Sequence, residues 1–338
     1  MIELADYSIS QCLHEGSETA VYSGLRRRDN LPVVVKMPRD DHPLPTVLNR
    51  LRHEYALLRE YAQPGVVQGL ELVRSPSSLA LVLEYVEGEP LTALVRSRKL
   101  DLALVLRIGL ELAQILTRLH DRHVVHKDLK PHNVLYNPQT GAVTLLDFGI
   151  ASCLSHETQP GHGPGAVEGT LAYMSPEQTG RMNRLLDTRS DLYSLGVTLY
   201  ELLTYTLPFT STDALALIHC HIARRPPTPQ ELNSRVPAIV SDVVMRLLAK
   251  ASEDRYQTAA GLAADLRECL TQLQSKGEIS DFPLGRSDFS AELRVPQRLY
   301  GRQAEQQVLS AALHRAAAGS AELVLISGYP GVGKTALV

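Results

Sequence analysis

The chain has 338 residues, 44% of them hydrophobic and 21% charged, enough for one large domain or two ordinary ones. A net charge of -3 argues against a nucleic-acid binder, because no basic excess exists to neutralise phosphates. Cys12, Cys153, Cys220 and Cys269 lack metal-ligand spacing and imply a reducing, cytoplasmic compartment, while the start is no signal peptide and no apolar run reaches the roughly 18 residues of a membrane helix.

Residues 7–36 alternate short apolar runs with turns, the pattern of three successive strands. Between the first two lies Leu13-His14-Glu15-Gly16-Ser17-Glu18-Thr19-Ala20-Val21-Tyr22, with Gly16 its one glycine. Residues 31–37 form a β-branched strand interrupted by Lys36, and such a strand rarely carries a lysine without a partner. Residues 45–61 are helical in pattern: Leu48, Leu51, Tyr55 and Leu58 recur at helical steps, with Glu54 beside them. Residues 79–83 are an apolar strand running into the polar turn Glu84-Tyr85-Val86-Glu87-Gly88. Residues 101–120 are helical and apolar on more than one face, so a buried helix is expected.

Next comes His126-Lys127-Asp128-Leu129-Lys130-Pro131-His132-Asn133, and Asp147-Phe148-Gly149 follows the short buried strand 143–146. Phosphoryl transfer from a nucleotide needs this set: one carboxylate to orient the attacking hydroxyl, and a second carboxylate plus an amide to hold magnesium. Asp128 suits the first task, and Asn133 with Asp147 the second. Lys130 can neutralise charge on the moving phosphoryl group. The stretch resembles the catalytic core of a eukaryotic-type protein kinase. The resemblance implies an α+β, two-lobed kinase fold: a small antiparallel β-sheet of five strands over a large helical lobe, with ATP in the cleft.

On that resemblance, Gly16 and Val21 register on the phosphate-covering loop, with His14 and Thr19 in place of its outer glycines. Glycine lets backbone N–H groups approach phosphate without a Cβ in the way, so the departure bears on nucleotide affinity rather than on fold. Lys36 would grip the α and β phosphates and pair with Glu54, Glu60 being the runner-up. Backbone groups of Glu84 and Val86 would meet the adenine edge, and Leu83 would limit the back of the pocket. His126 is expected to pack rather than transfer protons. Lys127 stands where arginine is common; a lysine holds phosphate only as a point charge, which implies activation less dependent on loop phosphorylation.

Residues 151–168 read as a mobile loop in which Ser152, Ser155 and Thr158 are candidate phosphosites. Gly169-Thr170-Leu171-Ala172-Tyr173-Met174-Ser175-Pro176-Glu177 resembles the end of a kinase activation segment, with Ser175 for the usual alanine. Thr170 would contact Asp128 and Lys130 and position a serine or threonine substrate, and Lys130 itself marks that specificity. Asp191 opens an apolar helix reaching Leu203 and would be a buried structural acid accepting backbone N–H bonds from the catalytic stretch. Glu177 would pair with Arg255 to brace the substrate side of the lobe.

The kinase-like part is expected over 7–272, a linker over 273–299, and the start of a P-loop (AAA-type) ATPase over 300–338. There an alanine-rich helix to about Ala318 precedes a strand over 323–327 and Gly328-Tyr329-Pro330-Gly331-Val332-Gly333-Lys334-Thr335. In a P-loop the backbone N–H groups cradle phosphate, Lys334 reaches its outer oxygens and Thr335 binds magnesium. With the chain ending at Val338, this P-loop is expected to be vestigial. The stretch Gln178-Thr179-Gly180-Arg181-Met182-Asn183-Arg184 resembles bacterial hybrid signalling proteins, in which a serine/threonine kinase domain precedes an ATPase-type module, sensor domains and a histidine kinase. The implied activity is transfer of the ATP γ-phosphate to serine or threonine of a protein substrate, with Mg2+ or Mn2+ as metal. Downstream sensor or histidine-kinase modules are the implied partners. The alternative is a catalytically weak, pseudokinase-like ATP-binding regulatory module.

Overall fold

Alternating runs at the amino end form strands β1 (Tyr7–Glu15), β2 (Thr19–Arg26) and β3 (Leu31–Pro38). They are seen in a computed structural model that describes residues 4, 6–74, 78–98, 100–154, 169–181, 186–290, 303–319 and 321–328. Helix α1 (Pro45–Glu60) follows, then β4 (Gly69–Arg74) and β5 (Leu79–Glu84). The five strands make one antiparallel sheet in the order β1-β2-β3-β5-β4. Alternation sorts their side chains onto two faces. Val33, Val35, Met37, Ala80 and Val82 pack with Leu4 and Tyr7 on one; Leu79, Leu81 and Leu83 join Leu51 and Leu58 of α1 on the other. Lys36, between Val35 and Met37, therefore emerges on the α1 face. The buried stripe of α1 is Val47, Leu51, Glu54, Leu57 and Leu58, so Glu54 occupies a core position, while Leu48 and Tyr55 are half-buried beside it.

The second lobe begins with β6 (Glu89–Pro90), α2 (Leu91–Ser97) and α3 (Leu102–His120), whose N-cap Asp101 accepts the Leu104 N–H at 2.7 Å. Short ribbons come next: β7 (Val124–Val125), β8 (Val134–Tyr136), β9 (Val143–Leu145) and β10 (Ser152–Cys153). Residues 126–133 lie between β7 and β8, and Asp147 just past β9, so the pairings β6-β8-β9 and β7-β10 present both stretches to the cleft. The lobe is completed by α4 (Arg189–Thr204), α5 (Ala214–Ala223), α6 (Pro229–Leu232), α7 (Ala238–Leu247) and α8 (Ala259–Lys276). Helix α4 is buried along nearly its whole length, and side chains of α3, α7 and α8 join it in one apolar core. It starts at Arg189, earlier than the expected Asp191, because Asp187 accepts the Arg189 N–H at 2.8 Å.

Two expectations for the tail change. Residues 273–299 read as a linker in sequence, but α8 continues to Lys276, and Ile279, Phe282 and Leu284 pack against the helical-lobe core. The strand expected over 323–327 is not formed. Residues 321–328 carry no regular structure, and Leu323 and Leu325 are 84% and 85% exposed. A strand is stable only when a neighbour completes its ladder, and among the described residues none lies beside it. Helix α9 (Gln303–Ala317) is formed close to its expected place. Gly328 is irregular, while Gly333, Lys334 and Thr335 lie outside the described residues, as do Ser155 and Thr158. Among the described residues no helix is long and apolar enough to cross a membrane.

Candidate active site

The sheet register sets the upper wall of the cleft. His14 pairs with Val21, Val21 with Lys36, and Lys36 with Leu81, so these four side chains share one row on the cleft face. Lys36 Nζ lies 2.8 Å from Glu54 Oε2 and 2.8 Å from Asp147 Oδ1. Glu54 Oε1 also accepts the Phe148 N–H at 3.3 Å, so one buried glutamate fastens both β3 and the start of the D-F-G stretch to α1. Glu60, the runner-up, is exposed. Burial works against the charge on Lys36, but Glu54 and Asp147 outweigh it and raise its pKa, keeping it cationic. Burial likewise opposes the charge on Asp147, yet Lys36 holds that carboxyl well below the usual carboxylate range.

The lower wall is held from beneath. Asp191, fully buried at the start of α4, accepts the N–H groups of His126 and Lys127, each at 2.9 Å, and meets His120 Nε2 at 3.0 Å. Burial would raise its pKa, but these partners lower it. Such a grip is needed because Lys127 has φ 68°, in the left-handed region that costs a side-chain-bearing residue free energy. His126 Nε2 donates to the Leu146 carbonyl at 3.0 Å, and its Nδ1 accepts the Asp128 N–H at 3.3 Å. Both ring nitrogens are thus engaged, and the ring stands edge-on to Phe148 with centroids 4.8 Å apart.

Asp128 is oriented on both oxygens. Oδ2 accepts from Lys130 Nζ at 2.6 Å and from Asn133 Nδ2 at 2.9 Å; Oδ1 accepts the Thr170 N–H at 3.1 Å. Lys130 Nζ also donates to Thr170 Oγ1 at 2.5 Å. The fold thus gathers Asp128, Lys130, Asn133 and Thr170 into one knot beside the Lys36–Glu54–Asp147 bridge. Asn133 Oδ1 and Asp147 Oδ2 have no hydrogen-bond partner among the described residues, and Asp147 is 42% exposed on its side chain. A free amide oxygen and a free carboxylate oxygen are hard donors of the type a divalent cation takes beside phosphate. The residues fit the metal.

Glu84 lies at the end of β5, its N–H donating to the Gln68 carbonyl at 3.0 Å; Leu83 before it is buried and Val86 after it half-buried. Gly16 opens the β1–β2 turn, its N–H donating to the Thr19 carbonyl at 2.9 Å. Glu177 and Arg255 meet in a bidentate pair at 2.6 and 2.9 Å. Burial tends to raise the Glu177 pKa, but Arg255 lowers it. Ser152 is buried in β10, so it is not an accessible phosphosite.

Three contacts were not anticipated. His14 and His132 face each other across the cleft with ring centroids 4.4 Å apart. Gln178 Nε2 donates to the Lys127 carbonyl at 2.7 Å, tying the segment after Glu177 to the catalytic stretch. Lys36 reaches Asp147 as well as Glu54. The only signals available were a histidine at a glycine position and a glutamine directly after Glu177, and neither type names its partner.

The protein kinase domain family matches residues 7–266. The chain belongs to that family. The AAA ATPase domain family matches residues 298–338. A probable serine/threonine-protein kinase of Clostridium perfringens is 31% identical over 264 residues, covering 78% of this chain and 38% of the relative. The serine/threonine-protein kinase PknB of Mycobacterium tuberculosis is 31% identical over 266 residues, 77% of this chain and 42% of the relative. The hybrid signal transduction histidine kinase G of Dictyostelium discoideum is 41% identical over 189 residues, 50% of this chain and 6% of that protein. The chain spans less than half the length of each of these relatives. A kinase domain implies use of ATP and, in general, of a divalent metal.

Proposed function

We propose that this chain is a protein serine/threonine kinase that transfers the γ-phosphate of ATP to a protein hydroxyl, with Mg2+, or Mn2+, held by Asn133 and Asp147. The observation that carries the proposal is the fixed Asp128 carboxylate, bound by Lys130, Asn133 and the Thr170 backbone at the floor of a cleft whose roof carries Lys36. Asp128 orients the substrate hydroxyl and takes its proton as the oxygen attacks phosphorus and the bond to the leaving ADP oxygen breaks. Lys130 offsets the charge that spreads over the phosphoryl oxygens, and Thr170 positions the acceptor side. Lys36, fixed by Glu54, grips the α and β phosphates. Gly16, Val21 and the backbone of Glu84 and Val86 complete the nucleotide site. The cation, when bound, neutralises phosphate charge. Four free cysteines suit a reducing compartment such as the cytoplasm, and the match to a hybrid histidine kinase supports sensor or histidine-kinase modules as partners.

The test is γ-labelled ATP with magnesium on the chain and on its Asp128→Asn variant. Label on serine or threonine should fall by roughly 10²–10⁴-fold in the variant, the scale of a lost general base. Equal rates would sink the assignment. Nucleotide binding without label in the wild type would instead establish the regulatory, pseudokinase-like module.

A further inference from the structure

Residues 277–290 are laid back over the foot of the helical lobe and built into it. Ile279, Phe282 and Leu284 give the segment its apolar footing. The Ser280 N–H donates to Gln272 Oε1 at 2.9 Å, and the Gly285 N–H to Asp265 Oδ2 at 2.7 Å. Its far end is fixed by Asp288, whose side chain is 2% exposed. One carboxylate oxygen accepts the Thr258 N–H and hydroxyl at 2.9 and 3.0 Å; the other accepts the Gln257 N–H at 2.8 Å and faces Arg246 at 3.4 Å. Four donors on one buried carboxylate are a built anchor, not a passing contact.

Gln257, set by Asp288, is a hub. Its Oε1 accepts from Arg189 Nη1 at 2.7 Å, and its Nε2 donates to the carbonyls of Ser252, Glu253 and Arg255 at 3.2, 3.1 and 2.8 Å. Arg255 in turn donates to the Arg189 carbonyl at 3.1 Å while holding Glu177. From Glu177 the next residue, Gln178, reaches the Lys127 carbonyl beside Asp128. Hydrogen bonds and the 177–178 peptide link therefore connect Asp288 to the catalytic loop through the end of the activation segment.

The geometry points to residues 277–290 as a strap that sets the protein-substrate shelf of the kinase, with Asp288 a positioning residue for phosphotransfer acting through Gln257, Arg189 and Arg255. This rests on the phosphotransferase reading above. The AAA ATPase match begins at residue 298, just beyond the strap in sequence.

Gly261 offers a clean perturbation. A Cβ there would lie 2.5 Å from Asp288 Oδ1 and 2.7 Å from Asp288 Cα, so Gly261→Ala must lift the strap, although alanine favours the helix itself. Hydrogen exchange and steady-state kinetics are compared for the full chain, Gly261→Ala and Asp288→Asn. Myelin basic protein serves as the phosphate acceptor. The strap reading expects amides of residues 171–181 to exchange about tenfold faster in Gly261→Ala, with α4 still protected. It also expects KM for the acceptor to rise about fivefold or more with KM for ATP unchanged. Faster exchange confined to 279–288, or equal rises in both KM values, overturns it. Should Gly261→Ala fail to fold, Asp288→Asn, which keeps the volume but loses acceptor capacity, gives the same reading. If the wild type transfers no phosphate, the proposed function fails, and the exchange result alone still decides the strap.

Discussion

Arg255→Ala tests how the helical lobe holds its substrate side. The guanidinium is fully buried and donates to both oxygens of Glu177 and to the carbonyls of Ala249, Lys250 and Arg189. Truncation leaves the Glu177 carboxylate, 3% exposed on its side chain, with the Ser190 hydroxyl at 2.7 Å but no cation. Removing one member of a buried pair costs about 3–5 kcal/mol, because the survivor stays buried and uncompensated. A domain stable by roughly 5–15 kcal/mol would lose about a fifth or more of that. Replacing both by methionine removes the stranded charge and should recover part of the loss, the carbonyls of Ala249, Lys250 and Arg189 still lacking their donor, without restoring phosphotransfer. The assay is urea unfolding of Arg255→Ala, Glu177→Gln and the double methionine variant, with γ-label transfer measured alongside. A cost below about 1 kcal/mol for Arg255→Ala would refute the reasoning, as would a double variant no more stable than the worse single one. The pH dependence carries the sign. Glu177 has a folded-state pKa below its ordinary value, so its stabilisation is present above about pH 4.5 and is lost as pH falls through the lower folded value. Glu177→Gln should flatten that acid limb.

Chelation by EDTA should abolish transfer and added Mg2+ restore it, while Asn133→Ala should need at least about tenfold more Mg2+ for half-maximal rate, read from a magnesium titration. His221, 1% exposed among Tyr193, Phe209 and Lys250, has its pKa lowered to about 4, by burial first and Lys250 second. Between pH 6.5 and about 4 the unfolded chain takes up a proton that the folded one refuses, so stability falls on acidification by about 1.4 kcal/mol per pH unit. The Tm of His221→Phe should fall less steeply than wild type over that window. In α4 a Cβ on Gly196 would lie 2.6 Å from Leu247 Cβ. Gly196→Ala should therefore lower the urea midpoint, because overpacking at about 1–3 kcal/mol exceeds the roughly 1 kcal/mol gained in helix propensity.

What could be read without coordinates was whatever is written locally. Asp128, Lys130, Asn133 and Asp147 sit at fixed offsets within one loop and one strand end, so the resemblance carried by that spacing points to them. Glu54 was legible as the acid beside an apolar stripe, although its place within the buried stripe was not. The His14–His132 contact depends on how the end of strand β1 in one lobe meets a loop of the other, and no periodicity encodes that. The segment 277–290 looked like linker because its apolar residues are few and aperiodic. Its order comes from Asp288 satisfying backbone donors at the start of α8, and such a tertiary bond leaves no pattern along the chain. The apolar run over 323–327 shows the reverse error: strand propensity is present, and among the described residues no strand lies beside it.

The double engagement of Lys36 bears on how this cleft would respond to synthetic ligands. A small molecule that fits the cleft with β3, α1 and Asp147 as they stand need only compete for the nucleotide's space. One that wedges α1 away from β3 must strip Lys36 from Glu54 and leave that carboxylate, 1% exposed, without its counter-charge. That penalty is about 3–5 kcal/mol, or more than a hundredfold in affinity, before any new contact is counted. Compound screens against this chain should therefore return molecules of the first kind, and a wedge-type hit would be recognisable by an affinity that rises in Glu54→Gln, where no charge is stranded.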